Sequence, residues 1–350
     1  MMFKKNICSN RISFILILCG LTLLVVLSTI FYSSHYNKRN ARALSQKIYA
    51  VLDHYRIMYD IDAHSIDPNT DTTPQAAKGI EQCIQNIAYF VAKKEPINML
   101  LVGFPFKSGN QKKKVLGPLP DMAERTSLEY TQKMLNEIKA VYSQGAKILI
   151  FCDGILFAPI FGIPFTDVVS YENELKLLCA DLPDITIFTS QNMMKKHGLK
   201  STTEIVQLID QYEPSDKQFR TELKEIPEIA LKRVAMDLDY TQGRILIEKN
   251  SLPEIVMNLL SREMRLRSYI SKTFPSPDFF RLTVHFSADV SKKFGIRLSP
   301  TSNITPYHGV MVQSGDISSI LFKKDVDMNH YIYDEKLING RQYGYYKQIK

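Results

Sequence analysis

The sequence predicts an α/β protein with a Rossmann-like, mostly parallel sheet flanked by helices. Short apolar runs alternate with segments of helical spacing through the middle of the chain, which is the pattern of strand–helix–strand units. Strand-like alternation returns toward the end and predicts a C-terminal antiparallel extension. An uncharged apolar stretch near the beginning adds one predicted N-terminal transmembrane helix.

Composition narrows the class of protein. The chain has 350 residues, 45% of them apolar, which suffices for a sizeable core and excludes disorder as the main interpretation. Its net charge of +8 fits small anionic ligands or a membrane surface and gives little support for a nucleic-acid partner. Five cysteines without a C-x-x-C pair and seven histidines without H-E-x-x-H or H-x-D patterns predict no metal site.

Residues 1–40 are interpreted as a membrane anchor. From Ile12 to Phe31 the chain carries no charge, and as a helix rising 1.5 Å per residue this stretch covers about 30 Å of hydrocarbon. A cleaved signal peptide is the alternative, but the stretch is longer than a usual signal core and no A-x-A-like site follows it. Basic residues flank both ends, so the orientation stays open.

The next segment, residues 41–79, is predicted to hold a helix and a mobile linker. Helical spacing covers 41–57, and the stretch 60–74 is rich in Asp, Thr and Pro with little to bury. The α/β domain that is predicted to carry the chemistry follows over residues 80–330.

Three apolar runs in that domain are predicted to be parallel strands, because a segment of helical spacing separates each run from the next. One helix should begin at Asp121, since Asp121 and Glu124 have the spacing of a capping box. In chain order the predicted elements are helix 75–93, strand 97–104, helix 121–143, strand 146–152, helix 170–178 and strand 184–189.

The later part of the domain is predicted to be helical first and then β. Residues 201–270 have helical spacing with an interruption near Gln242 and Gly243. The Tyr-rich end, residues 331–350, is predicted to be a peripheral tail. Four strand-like segments between them are interpreted as the antiparallel extension: 280–285, 293–298, 310–313 and 317–322.

Candidate ligand-binding residues follow the first two predicted strands, because ligands bind beyond the carboxyl ends of parallel strands. Lys107 and Ser108 follow the first strand, and Asp153 with Gly154 follows the second. A solvated loop lysine is the ordinary interpretation of Lys107, and Asp-Gly is also a common turn. The capping box already explains Glu124, so the sequence favours a structural role for this residue over a catalytic one.

Three arginines are candidates for binding an anion. Arg262 and Arg265 lie three apart on one helical face, where two guanidinium groups can grip a phosphate or a carboxylate. Arg125 lies in the first turn of the capped helix. An exposed, solvated position is the alternative for each of them.

Two histidines are candidates for proton transfer. Arg281 and His285 are four apart in a predicted strand and therefore share a face, where Arg281 is a further anion-binding candidate. His308 lies between Pro306 and Gly309, which fix the backbone around the imidazole. A purely structural role is the alternative for both histidines.

These pieces, in this order, resemble the pyoverdine/dityrosine biosynthesis family, whose bacterial members are isocyanide (isonitrile) synthases. The sequence departs from the family at Gly109, Cys152 and Tyr307, where Pro, Ser and Trp are usual, and in its N-terminal apolar stretch. The resemblance rests on eight blocks: 104–110 (FPFKSGN), 114–117 (KVLG), 120–125 (PDMAER), 140–146 (AVYSQGA), 152–154 (CDG), 171–175 (YENEL), 281–285 (RLTVH) and 305–309 (TPYHG).

The resemblance implies that the amine of an amino acid, tyrosine or tryptophan, condenses with the ketone of ribulose 5-phosphate, whose C2 becomes the isocyanide carbon. It implies no cofactor, and a separate iron/2-oxoglutarate oxygenase often consumes such a product. The candidates for moving protons are Asp153, Glu124, His285 and His308. The candidates for holding the phosphate and the carboxylate are Lys107, Ser108, Arg125, Arg262, Arg265 and Arg281.

Two other functions stay open at this stage. The product could be an N-formyl amino acid, as in the fungal branch of the family. The chain could also be a catalytically silent, membrane-tethered protein that binds an amino acid or a sugar phosphate. Because ribulose 5-phosphate is a cytosolic metabolite, the catalytic domain of the predicted single-pass membrane protein is expected to face the cytoplasm.

Overall fold

Five parallel strands form the main sheet. The computed structural model describes residues 39–57, 74–213, 228–285, 287 and 289–349. β1 is central, because β2 and β3 add on one side of it and β4 and β5 on the other. The strands are β1 (Ile97–Val102), β2 (Ala146–Phe151), β3 (Ile185–Phe188), β4 (Phe280–Thr283) and β5 (Phe294–Gly295), in the spatial order β3-β2-β1-β4-β5.

Helices cover both faces of this sheet. Met99 and Leu101 of β1 belong to one hydrophobic cluster, and Leu100 between them belongs to another. Because successive side chains of a strand point to opposite faces, the two clusters lie on opposite sides. The helices are α1 (residues 39–54), α2 (Pro74–Lys93), α3 (Met122–Val141), α4 (Gly154–Phe161), α5 (Phe165–Leu178), α6 (Ser190–His197), α7 (Thr202–Asp210), α8 (Glu228–Leu238), α9 (Thr241–Lys249) and α10 (Leu252–Thr273).

The predicted parallel strands and the capping box of α3 are confirmed. β1 and β2 pair in register from Ile97 opposite Ala146 to Val102 opposite Phe151. At the start of α3, Asp121 Oδ1 accepts from the backbone N–H of Ala123 at 2.8 Å, and Glu124 Oε2 accepts from the backbone N–H of Asp121 at 2.9 Å. Local sequence therefore fixes where this helix begins.

A second sheet follows the first and is mixed, with the order β7-β6-β9-β8. The β6–β7 and β8–β9 pairs are antiparallel, and the β6–β9 pair is parallel. The predicted antiparallel extension is therefore correct only for β6 and β7, because β4 and β5 join the main sheet as parallel strands. The strands are β6 (Val310–Ser314), β7 (Ile317–Leu321), β8 (Tyr331–Ile338) and β9 (Arg341–Gln348).

The expected peripheral tail over 331–350 is instead the β8–β9 hairpin. Asn339 and Gly340 turn the chain with φ of 49° and 80°, and two positive φ values in a two-residue loop suit the twist of a hairpin. Tyr343 and Tyr345 of β9 are buried in the larger hydrophobic cluster, and the Tyr343 hydroxyl donates to Glu174 Oε1 at 2.7 Å. Burial of these tyrosines makes the segment part of the core.

The predicted membrane location is corrected by the structure. Within the described ranges, from residue 39 onward with their gaps, none of the helices is long and apolar enough to cross a membrane. The stretch 12–31, which predicted the anchor, lies outside the described residues, as do residues 60–73 of the predicted linker. The interpretation as a single-pass membrane protein is therefore not retained.

Candidate active site

The candidate site lies beyond the carboxyl ends of β1, β2 and β4. The chain leaves β1 toward β2 and later returns to β1 from the other side as β4, so a topological switch point lies between β1 and β4. Open parallel sheets bind ligands at such points. A turn at Pro306–His308, just before β6, is joined to the loop after β1 through Ser108, whose backbone N–H donates to the Tyr307 carbonyl at 2.9 Å.

The backbone after β1 and β2 is tightly packed. Phe104 has a φ of 56°, a backbone conformation that residues other than glycine rarely adopt and that is frequent at functional sites. A Cβ added at Gly154 would lie 1.8 Å from the Pro105 carbonyl oxygen, so only glycine fits where α4 begins. The Asp153-Gly154 pair is therefore more than an ordinary turn.

Lys107 lies just beyond β1 with its side chain fully buried. Its Nζ is 2.9 Å from Asp121 Oδ2 and 2.8 Å from Glu124 Oε2, and it donates to the carbonyl oxygens of Pro306 and Gly309 at 3.0 and 3.3 Å. Burial alone lowers the pKa of Lys107, but the two carboxylates outweigh burial and hold it above its ordinary value. The ammonium group thus ties the start of α3 to the turn before β6.

Glu124 shares this buried cluster. Besides Lys107 it contacts Tyr171, whose hydroxyl donates to Glu124 Oε1 at 3.2 Å. Burial and the nearby carboxylate of Asp121 raise the pKa of Glu124, and the ammonium of Lys107 opposes that rise. Glu124 therefore holds a proton more strongly than an exposed glutamate does.

Residues of the YENEL block in α5 serve the fold around the site. Tyr171 contacts Glu124 as described, and Glu172 accepts hydrogen bonds from the backbone N–H of Ser190 at 3.1 and 3.0 Å, at the start of α6. Burial raises the pKa of Glu172 to about 7. Glu174 binds Tyr343 of the β8–β9 hairpin. This block therefore holds neighbouring elements together.

Asp153 is the second residue after β2 and directly precedes α4. Its side chain makes no capping hydrogen bond, and its Oδ1 is buried with no hydrogen-bond partner in the part of the chain that the structure describes. Burial, and then the negative charges of Glu263 and Glu172, raise the pKa of Asp153 to about 7. A carboxyl group in this state can both accept and donate a proton near neutral pH.

His308 contacts a carboxylate that the sequence did not single out, Asp237 at the end of α8. His308 Nε2 lies 3.7 Å from Asp237 Oδ1, and His308 Nδ1 lies 3.3 Å from Thr305 Oγ1. Burial lowers the pKa of His308 to about 4, and the charges of Lys114, His285 and Lys107 act in the same direction, whereas Asp237 opposes them. The imidazole is therefore neutral at pH 7.

Asp237 also accepts hydrogen bonds from two residues of the loop after β1. Its Oδ1 accepts from Ser108 Oγ at 3.1 Å and from Lys114 Nζ. Although burial favours the protonated acid, His308, Lys114 and Ser108 hold the pKa of Asp237 below its ordinary value. Helical spacing over 201–270 gave no signal for Asp237, because only the tertiary fold brings the end of α8 to this loop.

Arg281 lies in β4, opposite Leu100 of β1. It is half-buried, and its hydrogen bond within the described residues is a long one of 3.4 Å from Nη2 to Ser271 Oγ, with no ion pair to a carboxylate there. Burial lowers the pKa of Arg281 to about 10. His285, just beyond β4, is exposed, and its charge acts on both His308 and Glu263.

The other predicted anion-binding arginines are engaged elsewhere. Arg262 Nη1 donates to the Leu156 carbonyl at 2.9 Å, and Arg265 Nη1 donates to the Asp210 carbonyl at 2.7 Å, so both join α10 to neighbouring helices. Arg125 forms a bidentate ion pair with Asp181, in which Nη1 donates to Oδ1 at 2.6 Å and Nη2 donates to Oδ2 at 2.8 Å. Within the described residues, the hydrogen bonds of these three arginines go to groups such as these and not to Asp153 or His308.

Two of the positions where this sequence differs from the usual family residue lie against aromatic rings. Gly109 lies against the ring of Tyr240, and a Cβ there would be 2.3 Å from Tyr240 Cζ. Tyr307 is buried beside Phe104, with ring centroids 5.9 Å apart. Tyr240 is a second residue that the sequence gave no reason to select, since its contact spans two distant segments.

Comparison with known proteins identifies the family. Residues 87–333 match the family model described as pyoverdine/dityrosine biosynthesis protein. The chain belongs to this family. Its relatives include the L-tryptophan isonitrile synthase AmbI1 of Fischerella ambigua, which is 28% identical over 275 residues, covering 74% of this chain and 84% of the relative. The L-tyrosine isonitrile synthase of Xenorhabdus nematophila is 29% identical over 287 residues, covering 76% and 81%.

A solved structure agrees with this family assignment. The crystal structure of PvcA from Pseudomonas aeruginosa superposes with a TM-score of 0.69 at 25% identity, covering 87% of this chain and 99% of that chain. The α/β fold described above is thus the fold of a member of the pyoverdine/dityrosine biosynthesis family.

Proposed function

We propose that this protein is an isonitrile synthase that acts on an aromatic amino acid, with tyrosine as the first candidate and tryptophan as the second. The observation that carries the proposal is a carboxyl at Asp153 whose Oδ1 is buried without a hydrogen-bond partner among the described residues, in a chain that also holds a neutral imidazole at His308. Both residues lie in the region that matches the family model, whose named relatives act on these two amino acids.

The proposed co-substrate is ribulose 5-phosphate. Its phosphate needs a cation that is not already neutralised, and Arg281 fits this need because it forms no ion pair with a carboxylate of the described residues. The planar guanidinium can bind two phosphate oxygens at once. Lys107 is a weaker candidate, since four oxygens of the protein surround its ammonium group.

The residues at the sheet edge match the proton transfers of the proposed reaction. The amine must lose a proton before it attacks the sugar ketone, and Asp153 with a pKa near 7 is the proposed base. Water must then leave the carbinolamine, for which protonated Asp153 is the proposed acid. The bonds from C2 to C1 and to C3 must then break so that the remaining sugar carbons leave. His308, neutral at pH 7, is proposed to exchange protons with the sugar hydroxyls during these cleavages, and exposed His285 remains a second candidate.

Glu124 and Lys107 take a supporting part in this proposal. Their cluster fixes the Pro306 and Gly309 carbonyls and so holds the backbone on both sides of His308. No metal or redox cofactor enters the proposed reaction. A separate iron/2-oxoglutarate oxygenase is proposed to consume the isocyanide, and the present sequence, which has no H-x-D pattern, is assigned to the step before it.

The test is a labelling experiment with the full chain. The protein is incubated with tyrosine or tryptophan and with ribulose 5-phosphate carrying carbon-13 at C2, and the product is examined by mass spectrometry and carbon-13 NMR. We expect the label in an isocyanide carbon, and we expect sugar labelled at C1 to leave that carbon unlabelled. A labelled product heavier by one water would identify an N-formyl amino acid instead. Absence of labelled product from folded protein contradicts the proposal.

A further inference from the structure

The end of α8 is fastened to the loop after β1 by several independent contacts. Asn110 Nδ2 donates to the Met236 carbonyl at 3.0 Å, and Lys113 forms an ion pair with Asp239. Ser108 and Lys114 both donate to the carboxylate of Asp237, which lies between Met236 and Asp239 in the chain. The carboxylate of Asp237 is therefore held at a fixed place relative to the sheet edge.

That place is next to His308. One oxygen of Asp237 receives Ser108 and Lys114 and faces His308 Nε2 at 3.7 Å, so residues from the loop after β1 and from the turn before β6 converge on it. Thr305 Oγ1 faces the other ring nitrogen at 3.3 Å. At 3.7 Å the attraction between Asp237 and Nε2 is electrostatic, and since a carboxylate only accepts whereas a hydroxyl can also donate to Nδ1, this arrangement favours the proton on Nε2.

The charges around His308 make this carboxylate important. Lys107 and Lys114 from the loop after β1, and His285 from the loop after β4, all disfavour an imidazolium ion, and Asp237 from α8 favours it. A positive charge that develops on His308 during proton transfer is thus stabilised from α8. Removing the Asp237 charge leaves the imidazole facing cationic groups.

We infer that Asp237 is a positioning residue for the reaction, whose Oδ1 orients His308 through Nε2 and stabilises the imidazolium formed during proton transfer. This inference rests on the proposed function for its kinetic consequence. Its structural prediction, an Nε2–H tautomer facing Asp237, can be tested without turnover.

The kinetic test compares Asp237→Asn with Asp316→Asn in the full chain. Asp316 is exposed in the turn between β6 and β7 and takes no part in holding α8, so it controls for the loss of one carboxylate. For Asp237→Asn we expect kcat to fall about 10- to 100-fold with little change in KM for either substrate. Asp237→Glu, which retains the charge, should recover most of the rate. An unchanged kcat, or a loss confined to KM, overturns the inference.

The second test reads the imidazole directly and does not require turnover. Nitrogen-15 NMR of histidine-labelled protein at pH 7, with the His308 signals assigned by His308→Gln, should show the proton on Nε2. Asp237→Asn should shift both nitrogen signals of His308, and Asp316→Asn should leave them in place. An Nδ1–H tautomer in the unaltered protein, or signals that ignore Asp237→Asn, overturns the inference even if isocyanide formation itself is not observed. If Asp237→Asn does not fold, the tautomer of the unaltered protein decides.

Discussion

Lys107 Nζ donates a hydrogen bond of 3.0 Å to the carbonyl oxygen of Pro306, a residue 199 positions later in the chain. The same Nζ contacts Asp121 and Glu124, so one ammonium group joins the loop after β1, the start of α3 and the turn that carries His308. A buried cation with this many partners is a structural centre, and the family block FPFKSGN is explained in part by that role.

Lys107→Met should therefore destabilise the protein strongly. The substitution leaves two buried carboxylates without their cation, which typically costs about 3–5 kcal/mol in the free energy of unfolding. Urea denaturation at pH 7 measures the change. Lys113→Met is the matched control, because the Lys113 ammonium is nearly half-exposed and pairs with Asp239 at the surface. A change below about 1 kcal/mol for Lys107→Met would show that the carboxylates find other partners.

Asp153→Asn should lower the activity of the protein but raise its thermal stability. Loss of the proposed base should reduce kcat roughly 10²- to 10⁴-fold. Because burial raises the pKa of Asp153 to about 7, the protonated form contributes stability at low pH that is lost as the pH rises through about 7. The variant should thus melt above the unaltered protein at pH 8, and less so at pH 5, as measured by calorimetry.

The pH dependence of the unaltered protein gives the companion observation. If ionised Asp153 removes the proton from the amine, kcat should rise as the pH passes through about 7, and this limb should disappear in Asp153→Asn. Asp327→Asn is the control, since Asp327 is half-exposed and binds His330 in a surface turn. A pH profile that is flat between 6 and 8 contradicts the assignment of Asp153 as the base.

Arg281→Gln should raise the KM for ribulose 5-phosphate at least 10-fold and leave the KM for the amino acid nearly unchanged. The guanidinium is the proposed two-pronged phosphate ligand, so Arg281→Lys should recover only part of the loss. Arg262→Gln is the matched control: it removes a bond to the Leu156 carbonyl and should lower the melting temperature without a selective effect on the sugar phosphate. Equal KM changes for both substrates would place the phosphate elsewhere.

Gly109→Ala should destabilise the loop after β1, and the loss should depend on Tyr240. The added Cβ would lie 2.3 Å from the ring, which must move, at a cost of about 1–3 kcal/mol. In a Tyr240→Ala background the same substitution should be nearly neutral, giving a coupling energy in a double-mutant cycle. Gly117→Ala is the control, because a Cβ there meets no atom within 4 Å. Strict additivity would contradict the packing described.

Local signals predicted much of the main sheet. The apolar runs of β1 and β2 and the capping box at Asp121 depend on neighbouring residues alone, and the structure confirms them. The parallel order also follows from alternation with helices, which is why Asp153 was expected at the sheet edge. Its partnerless oxygen was not predictable, because that depends on what surrounds it in three dimensions.

The signals that failed are of two kinds. The first kind is a local signal that was overlooked: Asn339-Gly340 indicates the turn of the β8–β9 hairpin, but the tyrosine-rich composition led to the prediction of a peripheral tail. The others are tertiary. Asp237 reaches His308 only through the packing of α8, and Arg262 lies on the expected helical face, where it binds the Leu156 carbonyl. Helical spacing shows which residues share a face and not what that face meets.

The central position of β1 has a consequence during synthesis of the chain. One edge of β1 pairs with β2 soon after both leave the ribosome, but the other edge must await β4, which begins only at Phe280. At about 5–20 residues per second, the edge of an almost entirely apolar strand stays open for roughly 10 to 40 seconds. An open edge of this kind templates strand addition by other nascent chains. The yield of this protein in a foreign host should therefore respond to slower translation or to added chaperones.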